Sequence, residues 1–279
     1  MGKTVNRFML FKIENFKDIH VIKMSKTFLG NPVFMVHAFY LDGLLIDTGF
    51  VSAKIKMRRF MEEYRVNKVI ITHHHEDHVG ANAEANKLGI IPLVPEEGIE
   101  LVMHPHKLQL YRRLTWGMPE PSKALALSST VQTDNFTFQV IHAPGHSHDH
   151  KVFYLQERGW LFTGDVFLSE HLKYMRDDED ANIMIETLRN LLKLDFDTMF
   201  DALRGPIKNG KNAMRNKLEF LEEKKYLVTS LHKKGMDLRS ITKQAFGNEG
   251  LMTVISGGHY SKINFTKSIL GFTKYPVST

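Results

Sequence analysis

The chain has 279 residues, 43% of them hydrophobic and 24% charged, and it contains no cysteine. That balance is globular, and the missing thiols exclude disulfides, thiolate zinc sites, iron–sulfur clusters and cysteine nucleophiles. A formal net charge of +6 is compatible with nucleic acid or another anionic partner, although many soluble proteins carry as much without one.

The early sequence alternates strand and helix signals. Val5–Ile13, Ile19–Met24, Val33–Tyr40 and Leu44–Ile46 are rich in β-branched and aromatic residues and are predicted strands. Gly30-Asn31-Pro32 and Asp42-Gly43 separate them, and Asp-Gly between apolar runs predicts a hairpin. Ser52–Tyr64 follows as a helix capped by Ser52, with Met57, Phe60, Met61 and Tyr64 on one face. Lys68–Ile71 suits a buried strand. Val79–Leu88 is a predicted helix closed by Gly89, and Ile90–Val94 a strand. Glu96–Leu114 is predicted as one helix, followed by an irregular segment, Thr115–Ser122, whose Trp116 could cover a site.

Further strands are predicted at Phe136–His142, Lys151–Gln156 and Trp160–Thr163, a helix at Asn182–Leu194, and a last strand at Asp197–Asp201. From Ile207 the character changes. Lys211–Lys224, Leu238–Phe246 and Ile263–Leu270 give a second unit, 207–279, that is small and mainly helical beside a first unit of residues 1–206. No run reaches the ~18 apolar residues of a membrane span. Lys12 and Glu14 interrupt the N-terminal apolar stretch, so no signal peptide is expected and a cytoplasmic location is the default.

Histidine is concentrated in two places. Segments 73–78 and 142–150 hold four each of the 15 histidines. Imidazole is the commonest metal ligand, so clustering of this degree points to metal. In extended backbone His73 and His75 share a side while His74 points away. Asp77 and His78 then sit where the chain turns back toward the same space. A zincin motif is excluded, because Val79 stands where its second histidine would be.

Thr72-His73-His74-His75-Glu76-Asp77-His78 carries the HxHxDH pattern, and three further motifs follow the order of one family. Asp47-Thr48-Gly49 precedes it, Pro144-Gly145-His146-Ser147 follows it, and Thr163-Gly164-Asp165 comes last. Over roughly residues 20–206 the chain resembles the metallo-β-lactamase superfamily, in particular its glyoxalase-II-like and lactamase-beta-2-like branch. The resemblance implies an α/β fold, an αββα sandwich, with a small helical, winged-helix-like C-terminal appendage. It implies that His73, His75 and His146 bind a first metal, that Asp77 and His78 bind a second, and that Asp165 bridges them. Zinc suits these donors, one or two ions, and iron or manganese would also do. The implied chemistry is hydrolysis of an ester-like bond (thioester, lactone or phosphodiester) by metal-bound hydroxide, with Asp77 as catalytic acceptor of a proton.

One departure stands out. In Leu203-Arg204-Gly205-Pro206, arginine occupies the position of the family's last histidine ligand. A guanidinium does not ligate metal. The second site is therefore weak or empty, or is completed by Asp201, His171 or His259; alternatively Arg204 grips an anionic substrate group. His171 is a second expected substrate contact. His148 and His150 are expected in a solvated loop, and His142 and His259 in structural roles. A small-molecule substrate is the expected partner, with nucleic acid as the other reading and a dimer compatible with the sequence. The alternative function is a nucleic-acid-binding or regulatory module whose catalysis is weakened by Arg204.

Overall fold

The computed structural model describes residues 9–28 and 31–276. Val5–Phe8 of the first predicted strand and Gly30 of the first turn lie outside the described residues. In chain order the elements are β1 (Met9–Phe16), β2 (Ile19–Phe28), β3 (Asn31–Leu41), β4 (Leu44–Ile46), α1 (Lys54–Glu63), β5 (Lys68–Ile70), α2 (Asn82–Lys87) and β6 (Leu93–Val94). Then come α3 (Ile99–Met103), α4 (Leu110–Thr115), β7 (Leu125–Ala126), β8 (Thr130–Gln132), β9 (Thr137–His142), β10 (Lys151–Leu155) and β11 (Trp160–Gly164). The chain closes with β12 (Met175–Arg176), α5 (Ala181–Leu191), β13 (Thr198–Asp201), β14 (Gly205–Ile207), α6 (Gly210–Lys233), α7 (Leu238–Phe246), α8 (Leu251–Ile255), β15 (Tyr260–Ser261) and α9 (Lys262–Ile269).

Strand alternation builds the layers. Leu44 and Ile46 of β4 point one way, into a core with Phe39, Leu41, Phe153, Leu155, Phe162 and Phe200. Leu45 points the other way, with Ala38, Met57, Phe60 and Met61. On the second sheet, Val152, Tyr154 and Leu161 turn outward onto Met184, Ile185 and Leu188 of α5. Two sheets thus face each other through an aromatic interior, where Phe162 and Phe200 stack at 4.6 Å, and helices cover both outer faces. This is the expected αββα sandwich. The first sheet runs β1 to β7 in sequence order, and the second runs β14-β13-β11-β10-β9-β8. Asp42 and Gly43 both have positive φ, 52° and 78°, the conformation of a two-residue hairpin that pairs Leu41 with Leu44.

Several boundaries depart from the sequence reading. The predicted helix Glu96–Leu114 is broken between α3 and α4, because Pro105 drives His104 out of helical geometry, to ψ 69°. Ser52 does not cap α1; it lies in a single 3-10 turn, Val51–Ala53, and no side chain caps either. The helix expected from Val79 begins only at Asn82, since the preceding residues form turns in which His78 N–H bonds to His75 O at 2.9 Å. Gly89 does close α2, with Ile90 N–H returning to Ala85 O at 3.0 Å. Strand β13 is not the last, for β14 pairs antiparallel beside it. Helix α6 runs on to Lys233 because Val228 and Leu231 continue its buried stripe.

Ala213, Met214, Leu221 and Val228 of α6, Ile241 of α7 and Phe265 of α9 share one apolar cluster with Val152, Leu161 and α5. Asp180 caps α5 and Asp237 caps α7 by accepting backbone N–H bonds. A short ribbon pairs β12 with β15, setting Met175 opposite Ser261 and Arg176 opposite Tyr260. No helix among the described residues is long and apolar enough to cross a membrane.

Candidate metal centre

The loops after β4, β5, β9 and β11 meet at one edge of the sandwich, and each delivers part of one cluster. The loop after β5 carries His73, His75, Asp77 and His78. Its shape is held from behind by Asp47, whose Oδ1 accepts Thr72 N–H at 2.8 Å and whose Oδ2 lies 2.8 Å from His78 Nδ1. Asp47 has φ 61°, so the turn after β4 aims this carboxylate at strained backbone cost. Gly145, φ 122°, lets the loop after β9 pass so close to α5 that a Cβ would sit 2.8 Å from the Met184 backbone. That close passage places His146.

Ligand atoms of His73, His75, His146 and Asp165 lie within 4.8 Å of one another, all buried; so do those of Asp77, His78 and Asp165. His73 Nε2 is 2.7 Å from His75 Nδ1, which is 3.1 Å from His146 Nε2, and that atom is 3.2 Å from Asp165 Oδ2. Four donors bound at ~2.0–2.2 Å around one tetrahedral ion would stand about 3.3 Å apart, so the four fit one zinc-sized cation. His78 Nε2 and Asp165 Oδ1 are buried without hydrogen-bond partners and lie 3.3 Å apart. Buried polar atoms left unpaired are costly, and a cation between them would remove that cost.

The electrostatics divide the four imidazoles into two pairs. Burial first, then the neighbouring His78, His150 and His146, holds the pKa of His73 well below its usual range, and burial with Arg176 does the same for His75. Both imidazoles are therefore neutral, as ligands must be. Burial opposes charge on His78, but Asp47, Asp165 and Asp77 outweigh it and raise its pKa. Burial pushes Asp77 up to about 6. Burial would raise Asp165 as well, yet His78 and His146 hold it well below the carboxylate range. Burial and Arg176 oppose charge on His146, yet Asp165 and Glu179 raise its pKa, so His78 and His146 both favour protons that a bound cation would displace.

The other expected residues are placed elsewhere. His74 faces away: its Nδ1 lies 2.9 Å from Asp149 Oδ1, and Asp149 Oδ2 accepts its backbone N–H at 2.8 Å. His150 is not solvated; it is wholly buried, stacks on His73 at 4.6 Å, and its Nε2 accepts Asp165 N–H at 3.1 Å. Arg204 is exposed and turned outward, donating Nε–H to Leu168 O at 3.1 Å, while Asp201 Oδ1 fixes its backbone N–H at 2.8 Å. His171 is exposed, packs edge-on against Phe220 at 5.0 Å, and lines with Arg204 a depression separate from the metal loops. Asp201 accepts three backbone N–H bonds and His259 pairs with Tyr111, so neither Asp201, His171 nor His259 joins the second donor group.

Sequence reasoning missed several residues here. Glu179 Oε1 lies 2.8 Å from His146 Nδ1. Arg112 grips Glu76 through two bonds of 2.7 and 2.6 Å, both side chains buried. Arg176 Nη2–H donates to His146 O at 2.9 Å. Lys217 is buried, with Nζ donating to Val166 O and Phe167 O, each at 2.7 Å. No local motif announces any of them.

A sequence model described as the metallo-beta-lactamase superfamily matches residues 32–200. The chain belongs to the metallo-β-lactamase superfamily. A metallo-β-lactamase family protein from Thermus thermophilus superposes with a TM-score of 0.67 at 18% identity, covering 92% of this chain and 93% of that one. A β-lactamase domain protein from Burkholderia ambifaria gives 0.66 at 15%, covering 92% and 87%. These neighbours share the metallo-β-lactamase fold. In sequence, the chain is 28% identical over 153 residues to thioesterase pkgB of Emericella nidulans, 53% of this chain and 39% of that protein. It is 25% identical over 187 residues to a hydroxyacylglutathione hydrolase of Shewanella loihica, 65% of this chain and 64% of that one. The chain spans less than half the length of the thioesterases it matches, including an atrochrysone carboxyl ACP thioesterase of Passalora fulva.

Proposed function

We propose that this metallo-β-lactamase-fold chain is a metal-dependent hydrolase that cleaves a thioester-like bond in a small-molecule substrate. His73, His75, His146 and Asp165 would hold one ion tightly; Asp77, His78 and Asp165 would hold a second weakly, because Arg204 leaves that group one ligand short. Zinc suits the donors, and iron or manganese remain alternatives. The observation that carries the reading is the meeting of four buried donors, drawn from three loops, at separations one cation can span.

A bound ion would supply water acidified from pKa 15.7 to about 7 and would polarise an acyl carbonyl. The protein's own groups do the rest. Asp77 faces the pocket beside the donors, and its carboxylate, raised to about 6 by burial, can hold a water and accept its proton near neutral pH. Glu76 and Arg112 lock the loop and α4 together. Phe34, Trp116 and Leu203 wall the pocket with apolar surface that sheds water from the reacting bond. Residues 1–206 would form the catalytic unit, with 207–279 completing the pocket wall through Met252 and Tyr260.

The names of the relatives support a thioester in preference to a phosphodiester. Arg204 lies outside the four-donor group, so the regulatory reading rests on the three-donor second group alone. Assay of the metal-loaded protein against thioester, lactone and phosphodiester panels tests the proposal. Thioester turnover that disappears in His75→Ala, together with bound metal, is expected. Absence of turnover on every thioester, or full activity in His75→Ala, would overturn it.

A further inference from the structure

The cavity beside the donor cluster has a volume of about 260 Å³. Most of its wall is apolar: Phe34, Met35, Trp116, Leu168, Leu203 and Met252. Phe34 is half exposed, holds φ 59°, and meets the Trp116 ring edge-on at 5.8 Å. An aromatic side chain kept in the left-handed region at a pocket mouth is costly unless it contacts something.

The polar groups of this wall can be sorted by whether they are already engaged. Glu76 and Arg112 hold each other. Tyr111 Oη lies 2.8 Å from His259 Nδ1. Thr115 Oγ1–H donates to Tyr111 O at 2.8 Å. Glu179 faces His146 and accepts Arg176 N–H at 2.8 Å. Arg176 uses Nε on Asp178 and Nη2 on His146 O. Among the described residues, the Asp77 carboxylate, Arg112 Nη1 and Trp116 Nε1 of this wall have no hydrogen-bond partner, and neither do two donors of the C-terminal ribbon, Tyr260 Oη and Arg176 Nη1.

These two residues are directly opposite each other in the β12–β15 ribbon. Directly paired residues project to the same face, and both line the cavity. Tyr260 is held rigidly. Its backbone N–H donates to Ser256 Oγ at 3.0 Å, Ser256 Oγ–H returns to its carbonyl at 3.2 Å, and Tyr174 packs on its ring at 5.5 Å. Two donors on a fixed ribbon, facing an apolar chamber, form a preorganised receptor for an acceptor oxygen.

We propose that Tyr260 and Arg176 form a clamp for a carboxyl or carbonyl oxygen of an acyl group whose apolar body, of phenylpropanoyl size, packs on Phe34, Trp116 and Leu203. This rests on the hydrolase reading and adds the substrate class. The clamp makes the C-terminal segment a determinant of acyl selection.

The test measures binding without turnover. 3-Phenylpropionate, an acid of the product class, is titrated into the zinc-loaded protein while Trp116 fluorescence is followed; Trp160, buried in the interior, gives a constant background. Tyr260→Phe removes one unbonded oxygen and should leave zinc content and thermal unfolding unchanged. Loss of a hydrogen bond to a charged acceptor is expected to weaken binding about 10-fold or more. Equal affinity in wild-type and Tyr260→Phe would overturn the clamp, and so would failure of the wild-type to bind the acid. Failure of the hydrolase reading shows separately, as absent turnover by the wild-type.

Discussion

Glu179 Oε1 lies 2.8 Å from Nδ1 of His146, on the side of the ring away from the other metal donors. A carboxylate behind a ligating imidazole fixes its orientation and raises its basicity. Glu179→Gln should therefore lower metal affinity by about 10- to 100-fold. Activity should fall with it at limiting metal and recover when metal is added in excess. Competition with a chromogenic chelator measures this, and unchanged affinity would contradict the role.

The two donor groups are unequal. His73, His75, His146 and Asp165 offer four candidate ligands, whereas Asp77, His78 and Asp165 offer three, one of them shared. Native mass spectrometry after dialysis should show one retained ion per chain, with a second appearing only at raised metal concentration. Two ions surviving dialysis would contradict the assignment.

Arg112 and Glu76 are a buried, doubly bonded ion pair joining α4 to the metal loop. Removing one partner strands the other charge. Arg112→Ala should cost about 3–5 kcal/mol of stability, more than Arg112→Met combined with Glu76→Leu, which leaves no charge behind. Urea unfolding monitored by circular dichroism distinguishes the two; equal losses would mean that stranded charge is not the cause.

Lys217 offers a pH test. Burial lowers its pKa from 10.5 to about 8. Between those values the unfolded chain binds more protons than the folded one, so the stability that Lys217 contributes rises with pH across that window. Below about 8 the ammonium is charged in both states and the burial penalty is fully present. The difference in unfolding free energy between wild-type and Lys217→Met should shift toward the wild-type by about 3 kcal/mol from pH 8 to 10.5. A pH-independent difference would show that Lys217 titrates normally.

The candidate metal donors that converge in the fold were legible because each sits in a short motif of the family the chain resembles. His73 and His75 lie in the loop that follows β5, and Asp165 directly follows β11. Hairpin and helix signals were legible locally: Asp42-Gly43 adopts the turn its residue types favour. What supports the donors was not legible. Glu179 reaches His146, Arg112 reaches Glu76, and Tyr260 reaches Arg176 only because distant segments pack together. Arg204 shows the converse limit: its place in the motif was readable, but the outward turn of its side chain depends on the carbonyl of Leu168. Helix α3 ended where Pro105 required, a local signal that the apolar periodicity of 96–114 concealed.

Because α6, α7 and α9 are welded into the same oil layer as α5, the C-terminal quarter cannot be exchanged as a cassette. A swap would tear open the outer face of the second sheet before it altered any chemistry. Under the proposed clamp, redesign of acyl preference would proceed one side chain at a time along the ribbon, beginning with Arg176 and Tyr260.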